Sequence, residues 1–85
     1  MFSLSHVAAF IEVIETGSFH EASRRLQISQ PTVSHNVKRL EDILGVRLVE
    51  RRKDKCVPTW QGLVFLPFAR SLLTITKRSL DRLHS

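Results

Sequence analysis

Residues 29–44 read SQPTVSHNVKRLEDIL, and this stretch decides the fold. Ser29 is a natural N-cap, since its hydroxyl can accept a hydrogen bond from a backbone N–H that the first helical turn leaves unpaired. Pro31 suits that first turn, where its missing N–H costs nothing. Val33, Val37, Leu40 and Leu44 then recur at i, i+4, i+7 and i+11, one apolar stripe along a helix. The other side carries Gln30, Ser34 and Lys38, flanked by Thr32 and His35. Gln, Ser and Thr can exchange hydrogen bonds with base edges in a major groove wide enough to admit a helix. Lys38 and Arg39 suit phosphates. A solvated face of any surface helix could carry the same residues, so the flanking sequence has to decide.

Upstream, Ser3 can cap a first helix whose apolar positions are Leu4, Val7, Ala8, Ile11 and Ile14, with Phe10 widening the stripe. Gly17 closes it, because glycine enters the left-handed region cheaply. Ser18, with Glu21 three residues on, has the form of a capping box, so a second helix starts at once. That helix is short, with Phe19, Ala22 and Leu26 inward and the small Ala22 and Ser23 permitting close approach of a neighbour. Two helices joined by a tight turn at Ile28 are the layout of a helix-turn-helix, here without the usual turn glycine.

Downstream, Gly45 stops the third helix. Val46 and Leu48 alternate with Arg47, which predicts entry into a strand at about 47–50. Residues 51–55 (RRKDK) then form a tip with four cations, and Cys56-Val57-Pro58 returns as a second strand. Pro58 is acceptable only at a strand end or an edge, which a two-stranded hairpin supplies. A cationic hairpin directly after a recognition helix is a wing. Thr59 can cap a last, longer helix to about Leu83. In it Leu66, Ala69, Leu73, Thr76, Leu80 and Leu83 make a narrow 3-4-3-4-3 seam of coiled-coil type. Phe65, Phe68, Leu72 and Ile75 form a second edge. Phe65 and Phe68 are assigned to the winged body and the leucine seam to a second copy of the helix; one wide core face is the alternative. Pro67 inside this helix predicts a bend.

The chain has 85 residues, enough for one small body, with domain limits expected at 1–58 (winged helix-turn-helix) and 59–85 (linker helix). Its 42% hydrophobic content argues against disorder. Thirteen Lys and Arg against eight Asp and Glu leave +5, which favours an anionic partner. The charge is zoned: residues 1–22 hold three acids and no Lys or Arg, whereas the bases begin with the second helix. Cys56 is alone, so no internal disulfide can form, and a reducing cytoplasm is the expected compartment.

The run GSFHEASRRLQISQPTVSHNVKRLEDILGVRLVERRKDKCVPTWQG resembles the N-terminal domain of LysR-type transcriptional regulators. The matching pieces are Gly-Ser-Phe, Ser-Gln-Pro-x-x-Ser, Leu-Glu-x-x-Leu-Gly, Leu-x-x-Arg and Thr-x-x-Gly. The resemblance implies a mainly α fold: a winged helix-turn-helix of three helices plus a two-stranded β-hairpin wing, followed by a long linker helix that pairs protomers. It implies sequence-specific binding of double-stranded DNA by a homodimer, with a tetramer open for a longer protein. It also implies that a small-molecule effector is bound by a C-terminal domain outside this chain, and that no cofactor is held within it. Carried over by position, Gln30, Pro31, Thr32, Ser34, His35 and Lys38 meet DNA from the recognition helix. Ser18 and Ser29 grip phosphate at helix starts, and Arg51, Arg52 and Lys53 do so from the wing. His35 stands where the family commonly has Arg or Lys, and Val49 where Phe is usual.

Rival functions lack their residues. No two histidines sit at i, i+4 and Cys56 has no CxxC partner, so zinc-type spacing is missing. No Gly-rich phosphate cradle is present, and no enzyme is expected. A winged domain used only for protein contact should display exposed aromatic anchors, but the five Phe and single Trp mostly fit buried positions. Single-strand RNA readers need an aromatic platform of the same kind. Trp60 is expected over the junction of wing and last helix, and Glu41 opposite Arg51 across the helix–wing junction.

Overall fold

The fold is taken from a computed structural model, which describes residues 1–84; Ser85, the end of the expected linker segment, lies outside them. The central element is α1 (Leu4–Thr16). Ser3 caps it reciprocally: the Ser3 hydroxyl accepts from the His6 N–H, and His6 Nδ1 accepts from the Ser3 N–H at 3.2 Å. Val7, Ala9, Phe10, Ile11 and Val13 are buried on it, whereas Leu4 is exposed and Ala8 and Ile14 only half-buried. The predicted stripe was too narrow and slightly rotated. The cause is topological, because α1 is packed against α2, α3, α4 and the hairpin and so buries more than one arc.

Helix α2 (Phe19–Leu26) follows a glycine cap, Gly17 at φ 73°. The Ser18 hydroxyl accepts from the Glu21 N–H at 3.1 Å, but the other half of the expected capping box does not form. The Ser18 N–H is taken instead by Thr16 Oγ1 at 3.3 Å, and the Glu21 carboxylate sits 3.8 Å from Arg24. Ala22 and Ser23 are both buried, which lets α2 lie close to its neighbours. The turn into α3 has Gln27 where a glycine is usual, at φ 57° and ψ 41°. A non-glycine residue pays a steric cost in that left-handed region. Gln27→Gly is therefore expected to raise stability by about 0.5–1 kcal/mol, read as a higher midpoint in urea with unchanged slope.

Helix α3 (Gln30–Leu44) matches the predicted stretch residue for residue. Ser29 caps it through the Thr32 N–H, Val33, Val37 and Leu40 are buried, and Gly45 ends it at φ 73°. The hairpin pairs β1 (Val49–Arg52) with β2 (Lys55–Pro58), antiparallel, in the register Val49↔Pro58, Glu50↔Val57, Arg51↔Cys56 and Arg52↔Lys55. Strand β1 thus starts two residues later than expected, and Arg51, Arg52 and Lys55 belong to strands. Only Lys53 and Asp54 form the tip, with Lys53 at φ 55°. Alternation explains the shift: Val49 is buried, so Arg51 leaves from the same face two residues on.

Glu41 joins α3 to the hairpin, but not through Arg51. Its Oε2 accepts from the Leu48 N–H at 2.7 Å and the Val49 N–H at 3.2 Å, with Arg47 Nε 3.6 Å away. Cys56 closes the other side, its N–H donating to the Gly17 carbonyl at 2.8 Å.

Helix α4 (Trp60–His84) is capped by Thr59, whose Oγ1 accepts from the Gly62 N–H at 3.0 Å and donates to the Arg47 carbonyl at 2.6 Å. It runs through Pro67 as one helix. Gly62 and Ala69 are buried, and Phe65, Leu66, Leu72 and Leu73 lie against the core. Phe65 meets Phe2 edge-on at 6.3 Å and Phe10 at 5.8 Å between ring centres. Two expectations fail here. Phe68 is 64% exposed rather than packed on the winged body, and Trp60 is 71% exposed rather than covering the junction. Both point away from the arc of Gly62, Phe65 and Ala69. From Lys77 to His84 every residue is exposed. Among the described residues, no helix is long and apolar enough to cross a membrane.

Candidate nucleic-acid interface

The N-terminal half of α3 presents Gln30, Pro31, Thr32, Ser34, His35 and Lys38, all exposed. This follows from periodicity, since burying Val33, Val37 and Leu40 turns the intervening residues outward. Not all of them are unengaged. Ser29 Oγ and Thr32 Oγ1 are 2.7 Å apart and share a hydrogen bond, and Lys38 Nζ lies 3.6 Å from Asp42. Among the described residues, the Gln30, Ser34 and His35 side chains have no hydrogen-bond or ion-pair partner and are open to a ligand. Ser18 is half-buried, its hydroxyl on the Glu21 N–H. Behind α3, burial lowers the His6 imidazole pKa below its ordinary 6.5, helped by the positive Arg39 and by His35.

The cations of residues 1–58 divide into two sets. Arg24, Arg25, Lys38, Arg47 and Arg52 each stand within ion-pair distance of a carboxylate. Among the described residues Arg39, Arg51, Lys53 and Lys55 have no such partner, and all four are exposed. Arg39 is one of the phosphate-suited cations expected on the recognition helix and Lys55 belongs to the expected basic run 51–55; the sequence shows their charge but not their freedom from carboxylates. Arg51 has a different neighbour, its guanidinium lying 5.4 Å from the centre of the Phe19 ring. Phe19, Ser34, Lys38, Arg47 and Arg51 line one cleft of about 320 Å³ between α3 and the hairpin. The structure therefore brings Ser34 and Lys38 of α3 together with Arg51 of the hairpin, while Lys53 stands at the hairpin tip.

The six seam residues are divided along α4. Ala69 is fully buried and Leu66 and Leu73 lie against the core, so these three serve the chain's own interior. Thr76 is half-buried, its hydroxyl donating to the Leu72 carbonyl at 2.8 Å, while Leu80 and Leu83 are exposed.

Three helices with a capped turn between the second and third, followed by a hairpin, define a winged helix-turn-helix. Residues 4–63 match the model of the bacterial regulatory helix-turn-helix proteins of the lysR family, and the chain belongs to that family. Similar to it is the putative HTH-type transcriptional regulator protein PtxE of Stutzerimonas stutzeri, 42% identical over 76 residues, which are 89% of this chain and 39% of PtxE. Other curated relatives are spanned to 58% and 21% of their length, so the chain corresponds to only part of them. Among solved structures, OxyR of Corynebacterium glutamicum (a C206 mutant) superposes with a TM-score of 0.94 at 35% identity, over 100% of this chain and 26% of OxyR. The CbnR_DBD–DNA complex gives 0.90 at 36% identity, over 98% of this chain and 95% of that one. These relatives are regulators and not enzymes.

Proposed function

We propose that the chain is the DNA-binding part of a transcriptional regulator that reads double-stranded DNA in a sequence-specific way. The observation that carries this is the exposed face of Gln30, Ser34 and His35 beside four cations without carboxylate partners. A helix presented N-terminus first fits a major groove, and the hairpin cations suit the adjoining backbone or minor groove. The CbnR complex, nearly coextensive with this chain, contains DNA and supports the reading by analogy. Ser18, Ser29, Pro31, Thr32 and Lys38 take positioning roles in it, and Arg51, Arg52 and Lys53 neutralise phosphates.

The regulator acts as a homodimer through α4, with tetramers a further option for a longer protein. Its effector would be a small molecule held by a C-terminal domain, and its compartment the cytoplasm. On α4 the surface available to a second copy is the row Trp60, Val64, Phe68 and Ile75; Leu80 and Leu83, exposed beyond the core, lie on the other arc, in line with Leu66, Ala69 and Leu73.

Selection of bound duplexes from a random-sequence pool tests the reading, and a preferred site is the expected outcome. On that site Gln30→Ala or Ser34→Ala should cost about 1–3 kcal/mol, with little loss on non-specific DNA. Equal losses on both would remove these side chains from base reading. Neutralising Arg52 and Lys53 together should flatten the salt dependence by about 0.9 log units per lost phosphate contact, leaving the preferred sequence intact.

A further inference from the structure

Arg51 is placed differently from the other cations of the winged body. On β1 it alternates with Glu50 and Arg52 and shares a face with Val49, which is buried; across the hairpin it is paired with Cys56, which is buried as well. Its side chain therefore leaves from the face that turns toward the body, not from the outer face. There it meets Phe19, the first residue of α2, at 5.4 Å from guanidinium to ring centre. Phe19 is itself fixed: it is half-buried against the core, one residue past the Ser18 cap. The hairpin is fixed to the same turn by the 2.8 Å bond from the Cys56 N–H to the Gly17 carbonyl. Ring and guanidinium are thus held together by two separate anchors.

The cleft that Arg51 shares with Ser34 is also lined by Glu41, held by the Leu48 and Val49 N–H groups, by Glu50, 3.4 Å from Arg52, and by two other cations, both committed. Lys38 is 3.6 Å from Asp42 and Arg47 is 3.6 Å from Glu41. Arg51 is the cleft's cation without a carboxylate among the described residues. A ring face attracts a guanidinium while leaving its N–H donors in plane and available, whereas a carboxylate would occupy them. We propose that Phe19 is a positioning residue that holds the Arg51 guanidinium over the cleft, ready to take a phosphodiester of duplex DNA between α3 and the wing. This rests on the DNA-binding reading above.

A double-mutant cycle on the selected duplex tests it, using Phe19→Leu, Arg51→Ala and both together. Arg51→Ala is expected to reduce the salt slope by about 0.9. Phe19→Leu keeps the apolar bulk, loses the ring face, and should weaken binding about two- to fivefold. In the Arg51→Ala background the same change should do nothing further. Equal losses in both backgrounds would overturn the proposal, since a purely structural Phe19 acts whether or not Arg51 is present. If Phe19→Leu fails to fold, Arg51→Lys on the exposed strand gives the same test. It keeps the charge but not the plane, and should weaken binding about two- to fivefold at an unchanged salt slope; wild-type affinity would overturn the proposal. Wild-type chain that binds no duplex would overturn the parent reading and this one with it. Wild-type binding with an additive cycle would overturn this one alone.

Discussion

Gly62→Ala should lower the stability of the chain by about 3 kcal/mol or more, the largest loss expected from adding one methyl group. A Cβ built on Gly62 would overlap the Leu48 carbonyl oxygen and stand 3.1 Å from its carbon and 3.2 Å from Pro58 Cβ. The obstacle is backbone, and that backbone is held on several sides. The Leu48 N–H donates to Glu41 at 2.7 Å, its carbonyl accepts from the Thr59 N–H at 3.0 Å, and its side chain is fully buried. Leu48 cannot retreat without breaking the link between α3 and the hairpin, so α4 must lift instead. Lifting it uncovers Phe65 and Ala69, which complete the core over α1. The better helix propensity of Ala returns only about 1 kcal/mol. For a domain of this size the net loss should lower Tm by more than about 10 °C. An unchanged Tm would mean that α4 does not dock where the structure puts it.

Gly62 also marks where the sequence stops being legible. The Thr-x-x-Gly pattern identifies the residue, but nothing local says that Leu48 lies beneath it. Signals confined to one helix turn read well: the Ser3, Ser18, Ser29 and Thr59 caps and the Gly17 and Gly45 stops all stand where expected. Stripes read well where a helix faces one neighbour, as α3 does. On α1 the stripe was misplaced, because a helix surrounded on several sides buries residues all round. On the hairpin, charged residues concealed a strand: Arg51 and Arg52 look like a tip, yet their backbone pairs with Cys56 and Lys55. The sequence places Glu41 at the helix–wing junction opposite Arg51, but its partners are two backbone N–H groups and Arg47. A side chain's charge does not reveal that backbone donors lie nearer. As for the interface, spacing alone puts Gln30, Ser34 and Lys38 on one side of α3, with Thr32 and His35 flanking them. The Phe19–Arg51 contact depends on two turns far apart in sequence and could not be read.

Phe68→Asp combined with Ile75→Asp should convert a dimer into a folded monomer and weaken binding to a two-half-site duplex by about a hundredfold or more. The apolar periodicity of α4 contains two stripes, and sequence alone does not say which one faces inward. Ala69, Leu66 and Leu73 are committed to the core, so the seam as a whole cannot be offered to a second copy. The opposite side carries Trp60, Val64, Phe68 and Ile75 at i, i+4, i+8 and i+15, and each is more than half exposed. A row of large apolar side chains on one helix face is more than the scatter normal on a monomer surface. Fully burying each is worth roughly 1.5–3 kcal/mol, so several must engage together to offset the cost of association. A symmetric pair of α4 helices would meet that condition and set two copies of α3 for two half-sites. Because Phe68 and Ile75 are exposed within the chain, the double variant should keep the wild-type circular dichroism spectrum and sediment as a monomer. Leu73→Asp is the contrasting control: it strikes a residue packed on the core and should destabilise the fold itself. If the Phe68→Asp, Ile75→Asp protein still sediments as a dimer, the contact between copies lies elsewhere, and the exposed end of α4 at Leu80 and Leu83 is the next surface to alter.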